Sequence, residues 1–128
     1  GSCLKAGTVA TTYFHDHHNL FVAGDDPEDM LIAVRQILER QGGLLTVRGG
    51  RVLAELALPV CGILSEKGIR DTALGLKKVR ESLEELGYRH NNPIMSLGTL
   101  GLPVSPALKL TDKGLVDVTK SRVVPLIL

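Results

Sequence analysis

The stretch LLTVRGGRVLAELAL, residues 44–58, carries the clearest structural signal in the sequence. It contains two runs of strand-forming residues separated by Gly49 and Gly50. Because both glycines can adopt the positive φ angles of a type I′ turn, the pattern predicts a β-hairpin. Side chains alternate between the two faces of a strand, so one face of the second strand is apolar: Ala54, Leu56 and Leu58.

Helical patterns occur on both sides of this hairpin. Upstream, Asp26 is a suitable N-cap and Pro27 a suitable first residue of a helix. The predicted apolar stripe of this helix consists of Met30, Val34, Ile37 and Leu38. Downstream, a second helix is predicted to begin at Asp71 or Thr72 and to end at Gly87.

The two ends of the chain add further strands and a short helix. Apolar runs at 9–14 and 20–23 predict two strands, a short helix can begin near Pro93, and residues 107–128 predict two or three more strands. Strand pairs that alternate with helices predict an α+β fold. We expect a mixed β-sheet covered by two main helices and a short third helix, in a single compact layered domain that spans residues 1–128.

The composition narrows the classes of partner. The 128 residues carry a net charge of +1 with both signs interspersed, so no basic surface for nucleic acid or an anionic membrane is predicted. Aromatic residues make up 3% of the chain and Trp is absent, which leaves few side chains for stacking on bases. Cys3 and Cys61 form no disulfide framework, and no apolar run has the length of a membrane span. We therefore expect a cytoplasmic protein that binds neither nucleic acid nor membranes.

A polar cluster lies between the first two predicted strands, where His15, Asp16, His17 and His18 are consecutive. On a strand, His15 and His17 would point to the same side, as two ligands of one metal ion must. A catalytic metal ion needs at least a third protein ligand, and the one remaining histidine is His90, after the second predicted helix. The cluster by itself therefore does not predict a complete metal site.

Two other interpretations of this cluster stay open. In the first, it is a polar junction in which Asp16 and Asn19 accept hydrogen bonds from backbone N–H groups and the histidines lie at the surface. In the second, it projects into the active site of a neighbouring domain, where a His-Asp pair orients a substrate or relays a proton near neutral pH. The residue types are compatible with both interpretations.

Long segments of the chain resemble one family, in the same order: HDHHN (15–19), DPEDMLIAV (26–34), GGLLTVRGGRVLAELALPVCGILS (42–65) and NPIMSLGTLGLPVSPALKLTDKGLVDV (92–118). They are similar to the C-terminal domain of bacterial adenine deaminases, which belong to the amidohydrolase superfamily. The first segment resembles a His-Asp-Ser-His-Asn signature of that family, with His17 in place of the serine. The resemblance runs from Leu4 to the end of the chain.

The resemblance implies a parent hydrolase of purine salvage. In such enzymes a metal-activated hydroxide converts adenine to hypoxanthine and ammonia, and the metal, manganese or iron, is held in an N-terminal barrel. It also implies that this chain packs on the barrel, holds no metal of its own and is inactive alone. Its candidate contributors to the mouth of the active site are His15, Asp16, His18 and Asn19.

The resemblance leaves open the oligomeric state and the choice between an enzyme domain and a binding domain. The family interpretation is compatible with a homo-oligomer, which the sequence neither predicts nor excludes. The alternative to an enzyme domain is a free-standing domain that binds a purine or another small ligand without catalysis.

Overall fold

The computed structural model describes residues 4–14 and 17–127 of the chain. The strands are β1 (Thr8–Thr11), β2 (Phe21–Gly24), β3 (Gly43–Arg48), β4 (Arg51–Ala57), β5 (Leu108–Thr111), β6 (Gly114–Asp117) and β7 (Arg122–Val124). The α-helices are α1 (Pro27–Glu39), α2 (Ile69–Glu85) and α3 (Pro93–Gly98), and two 3₁₀ turns span Thr99–Gly101 and Val118–Lys120. None of the helices among the described residues combines the length and the apolar run needed to cross a bilayer.

Four strands form an antiparallel sheet in the order β2-β1-β3-β4. β1 is antiparallel to both β2 and β3, so β2 and β3 run in the same direction without being neighbours. Helix α1 makes the connection between them. The α+β class is confirmed, but the sheet is antiparallel throughout and not mixed, because β1 separates the two strands that run in parallel directions.

Helices cover both faces of this sheet, which confirms the predicted layers. On β3, Leu45 and Val47 point to the side of α1, where they pack with Ile37. Leu44 points to the opposite side and belongs to a second apolar cluster with residues of α2 and α3. The strand alternation therefore places one core on each face of the sheet.

Helix α1 begins as predicted and buries a narrower face than predicted. The side chain of Asp26 accepts a hydrogen bond from the N–H of Glu28 at 2.7 Å, as an N-cap does. The residues of α1 that are buried against the sheet recur every four positions: Asp29, Ala33 and Ile37. Leu38 is 67% exposed, so the prediction that it belongs to the buried stripe is wrong. Successive residues of an α-helix are rotated by about 100°, which turns Leu38 away from the face that buries Ile37.

Helix α2 begins earlier than predicted and ends where predicted. Its first residue is Ile69, and the N-cap Gly68 makes no side-chain hydrogen bond, so no local signal marks the start. At the other end Gly87 has a φ of 98°. The N–H groups of Gly87 and Tyr88 donate to the carbonyls of Glu84 and Leu83, at 3.0 and 2.9 Å, which is a Schellman motif.

The hairpin of β3 and β4 is confirmed, with φ angles of 59° at Gly49 and 76° at Gly50. The turn is held by Asp29, whose two carboxylate oxygens accept hydrogen bonds from the N–H groups of Gly49 and Gly50 at 2.8 and 2.7 Å. Asp29 is 3% exposed. The sequence indicates this residue only as an acid in the first turn of a helix, but it also joins α1 to the hairpin.

The last three strands form a second antiparallel sheet in the order β5-β6-β7. Three strands were the upper limit of the prediction for this segment. Its main contact with the rest of the described elements is between β5 and the 3₁₀ turn Thr99–Gly101. The prediction of one sheet is therefore replaced by two sheets, since β5 to β7 pair with one another and not with the edges of the larger sheet.

Candidate functional site

The junction between β1 and β2 contains all the sequence-predicted site residues. β1 ends at Thr11 and β2 begins at Phe21, so the described residues between them do not continue a strand. His17 lies in a turn and not on a strand. His15 and Asp16 lie outside the described residues.

Thr12 fixes the start of this junction. Its side-chain oxygen accepts a hydrogen bond from the N–H of Gly43 at 2.8 Å and donates to the carbonyl of Gly62 at 2.7 Å. An added Cβ at Gly42 would lie 2.5 Å from the Cα of Gly62, so only a residue without a side chain allows these backbones to come this close. Thr12 thus links the start of the junction to Gly43 at the start of β3 and to Gly62 in the loop after β4.

His17 is part of the turn and is packed rather than solvated. Its Nδ1 accepts a hydrogen bond from the N–H of Asn19 at 3.3 Å, and its ring centroid is 4.5 Å from that of Phe14. A serine hydroxyl accepts the same i+2 N–H in an ST turn, so the His17 ring can replace the serine of the resembled signature in this local role. In the described part of the junction the acceptor is His17 and not Asn19, so the polar-turn and active-site interpretations both stay open.

His18 and Asn19 are exposed, as are Tyr13 and Leu20 in the same junction. His18 has a φ of 46°, and its N–H donates to the carbonyl of Phe14 at 2.8 Å. Its ring lies 6.1 Å from that of Tyr13, centroid to centroid. The fixed backbone turn presents the imidazole of His18 and the amide of Asn19 at the surface, where both are accessible to another molecule.

A pocket of about 440 Å³ opens beside the junction. Its apolar wall includes Phe14 and Phe21, whose rings stack at 4.6 Å, together with Leu110 of β5. Asn19 and Asp112 contribute polar groups. The pocket is therefore an open, mainly apolar depression with a few polar groups.

Gly101 closes the base of this pocket against the junction. An added Cβ at Gly101 would lie 2.5 Å from Cε1 of Phe14 and 2.7 Å from Nε2 of His17. That Nε2 is buried and has no hydrogen-bond partner among the described residues. The close approach explains how the segment after α3 shields His17 from water.

His90 lies in a different part of the molecule. It follows α2 and lines a separate pocket with Arg80 and Glu84, and its ring is 5.3 Å from that of Tyr88. The structure thus brings His17, His18 and Asn19 together and leaves His90 apart. His90 is not a candidate third ligand for the junction.

The described residues do not fit a metal centre. Within residues 4–14 and 17–127, no group of three His, Cys, Asp or Glu side chains is placed to hold one ion. In the junction, Nδ1 of His17 is already used by a backbone N–H and its Nε2 is buried under Gly101. We derive no step through a metal from this chain.

One carboxyl group with an altered pKa lies outside the junction, at the end of β6. Asp117 accepts hydrogen bonds from the hydroxyl of Thr119 at 2.6 Å and from the N–H of Lys120 at 3.2 Å. Its other oxygen is 3.0 Å from the ammonium of Lys120. The Thr119 hydrogen bond first, and then Lys120, lower the pKa of Asp117 from 3.8 to about 2. This group caps a 3₁₀ turn and has a structural role.

The comparisons with known proteins identify a family. Residues 1–122 match the family model described as adenine deaminase C-terminal domain. The chain belongs to this family. Adenine deaminase 2 of Shouchella clausii is 52% identical over 126 residues, which cover 98% of this chain and 22% of that protein.

Other members of the adenine deaminase C-terminal domain family are similar over the same stretch. An adenine deaminase of Clostridium perfringens and one of Oleidesulfovibrio alaskensis are each 48% identical over 126 residues, again 98% of this chain and 22% of those proteins. The chain thus spans about a fifth of the length of the curated relatives it matches. It corresponds to one domain of these longer proteins.

Proposed function

We propose that this chain is the C-terminal domain of an adenine deaminase, whose full-length form hydrolyses adenine to hypoxanthine and ammonia. The observation that carries the proposal is the 52% identity to adenine deaminase 2 of Shouchella clausii over 126 residues. This identity extends over both sheets and all three helices, so it is not limited to one motif. In this proposal the domain packs on an N-terminal amidohydrolase barrel that binds adenine.

The metal in this proposal, manganese or iron, belongs to the barrel. When bound, it supplies a hydroxide nucleophile near neutral pH. The described residues of this chain offer no matching set of ligands. We therefore expect the 128-residue chain to be inactive on its own, and we propose a cytoplasmic enzyme, where an exposed free thiol such as Cys61 stays reduced.

The part of this domain proposed to reach the active-site mouth is the segment 15–19 of the junction. Its support is geometric, because the turn holds the side chains of His18 and Asn19 at the surface beside the pocket. An imidazole so placed can orient a substrate or relay a proton to bulk water. We propose the same role for His15 and Asp16, because they match the signature of the family.

The test uses the whole reading frame that contains this chain, supplied with manganese or iron. Conversion of adenine to hypoxanthine is followed by absorbance, with the 128-residue chain as the comparison. We expect turnover by the whole protein and none by the chain. Metal-dependent turnover by the chain alone would overturn this division between the domains.

Single replacements then test the junction. In the whole protein, His18→Ala or His15→Ala should lower kcat/KM by roughly 10- to 100-fold, because a misplaced or missing polar group near the reacting atoms costs this much. His90→Ala is the matched control, since His90 lies outside the junction, and we expect little change. Equal, small effects of all three replacements would reduce the junction to a structural turn.

A second function, binding of a purine or another small ligand without catalysis, is favoured by one observation. The pocket of about 440 Å³ beside the junction is lined mostly by apolar side chains, with Asn19 and Asp112 as polar groups. Calorimetric titration of the 128-residue chain with adenine separates the two functions. The enzyme-domain proposal predicts no measurable heat of binding, whereas saturable binding by the chain alone would favour the second function.

A further inference from the structure

The two sheets differ in how their apolar side chains are covered. The four-stranded sheet has a helix layer on each face, whereas the main outside contact of the three-stranded sheet is the 3₁₀ turn Thr99–Gly101 against β5. A three-stranded sheet needs a packed hydrophobic face to be stable in water. The smaller sheet lacks most of that packing among the described residues.

The register of the smaller sheet places its two exposed leucines, Leu108 and Leu110, on one face, whereas Val123, which is 56% exposed, lies on the other face. Leu110 is opposite Leu115, and Leu115 is opposite Val124, so these side chains share a face with Leu108. Leu108 is 54% and Leu110 is 52% exposed. Leu115 and Val124 are partly buried. We call these four residues of β5, β6 and β7 the open face, and its exposed members are the two leucines of β5.

The polar side chains on the other face of β5 have hydrogen-bond partners within the domain. The ammonium of Lys109 donates to the carbonyl of Thr99 at 2.8 Å, and the hydroxyl of Thr111 donates to the carbonyl of Gly114 at 2.9 Å. The side chains of β5 thus alternate between polar groups with partners inside the domain and leucines that are more than half exposed. This alternation is typical of a strand whose apolar face is packed against another part of a protein.

The open face is continuous with the junction. Leu110 belongs to the open face and also lines the pocket beside the junction, together with Leu20, which is 40% exposed. At the other end of the same face, Asp117 is opposite Leu108 and Arg122 is opposite Asp117. Arg122 is exposed, whereas Asp117 is buried and caps the 3₁₀ turn that follows β6.

We propose that the open face is the docking surface for the barrel, the part of the longer polypeptide that precedes this domain. The proposal rests on the proposed function and adds the surface through which the two domains meet. The match covers 22% of the length of the Shouchella clausii relative, so more than three quarters of that protein lies outside it. β5 and β6 fall within the matched residues 1–122, so the leucines of the open face belong to the domain that is joined to this additional chain.

This location has a geometric consequence for the junction. A domain that covers Leu110 also comes next to the pocket and to the exposed side chains of His18 and Asn19. The same contact would therefore bury the open face and bring the junction to the mouth of the barrel. A second copy of this chain is the other occupant that could bury leucines, and the test below distinguishes it.

The test places a photoreactive benzophenone side chain at position 110 of the whole protein. After irradiation, crosslinked peptides are identified by mass spectrometry. We expect crosslinks from position 110 to residues of the same polypeptide that precede this domain. The matched control is position 38 on α1, which is 67% exposed and lies outside the open face. With the photoreactive group at position 38, we expect no crosslinks to the residues that precede this domain.

A second variant keeps the test independent of the size of the benzophenone group. With the photoreactive group at position 108, Leu110→Glu should lower the crosslink yield by about tenfold or more, because an unpaired carboxylate is strongly disfavoured in an apolar interface. Leu38→Glu should leave the yield unchanged. Both replacements are at exposed positions, and the unfolding midpoint of each variant of the 128-residue chain confirms that the domain still folds.

Three results would overturn the proposal: crosslinks to a second copy, no crosslinks from positions 108 and 110, or a reading frame without a preceding domain. Adenine turnover measured on the same samples separates the two proposals. Crosslinks without adenine turnover would reject the substrate and keep the docking surface. Turnover without crosslinks would keep the substrate and reject this surface.

Discussion

The four-stranded and three-stranded sheets of this domain are built from similar residues and have opposite surroundings. Leu44 and Leu45 of β3 are each at most 2% exposed, because helices cover both faces of their sheet. Leu108 and Leu110 of β5 are more than half exposed, and no helix of the described residues covers them. Helices cover the larger sheet within the chain, whereas we propose that a partner covers the open face of the smaller sheet.

This difference separates residues that stabilise the domain from residues that connect it. A buried leucine in the larger layer contributes to folding of the chain itself. An exposed leucine on the open face contributes little until something covers it. Replacements in the isolated chain should therefore have large effects in one region and small effects in the other.

The largest expected effect comes from the core between the larger sheet and α2. Leu83 is 0% exposed, so Leu83→Ala should lower the free energy of unfolding of the chain by about 2–5 kcal/mol, through lost burial and the cavity that remains. Leu110→Ala is the matched replacement on the open face and should change it by less than about 1 kcal/mol. Urea unfolding measures both, and similar losses would contradict the difference between the two sheets.

The next effect concerns the carboxylate that joins α1 to the hairpin. Asp29→Ala removes two charge-assisted hydrogen bonds to the turn and should lower the free energy of unfolding by about 2–3 kcal/mol. Asp29→Asn keeps one acceptor oxygen and should cost less. Glu28→Ala, an exposed position in the same helical turn, is the control in the same urea titration. A loss at Glu28 as large as the loss at Asp29 would show that helix charge, and not the turn, is responsible.

A smaller effect is expected where the two regions meet. Gly101→Ala introduces a Cβ 2.5 Å from Cε1 of Phe14, which is buried and cannot move freely, so overpacking should cost about 1–2 kcal/mol. Gly68→Ala is the control, since an added Cβ at Gly68 meets nothing within 4 Å. Thermal unfolding gives both values. A neutral Gly101→Ala would mean that the segment after α3 is not held against His17 in solution.

The smallest effect is the pH dependence of the three-stranded sheet. The pKa of Asp117 is lowered from 3.8 to about 2 by Thr119 and Lys120, so the folded state favours the carboxylate. Its stabilising contribution is present above the unfolded pKa and is lost as the pH falls through the folded pKa. The stability difference between the native chain and Asp117→Asn should therefore shrink between about pH 4 and pH 2. A difference that is constant over this range would contradict the role of Asp117.

The elements that could be predicted from the sequence depend on local chemistry. The hairpin follows from Gly49-Gly50, the start of α1 from Asp26, and the end of α2 from Gly87, because each feature is decided by residues within one turn. The start of α2 at Ile69 was missed, since its N-cap has no polar side chain. The division into two sheets was missed because it depends on which strands pair across long stretches of the chain.

The position of the junction between two strands was predicted, whereas the residues that surround it were predicted only in part. The order of the residues placed the histidine cluster at a strand junction, and the structure confirms this for the described part. The contributions of Gly101 and Leu110 to the pocket could not be predicted, because both are more than 80 positions away from His17 in the sequence. Neither residue type carries a signal for binding.

The measurement that tests the central claim most directly is amide hydrogen exchange of the 128-residue chain, read at β3 and at β6. The claim is that the larger sheet is complete and the smaller one is not. We predict that amides of β6 exchange at least about 100-fold faster than those of β3, through local opening of the three-stranded sheet. Equal protection of the two strands would contradict the claim, because the smaller sheet would then be stable without a partner.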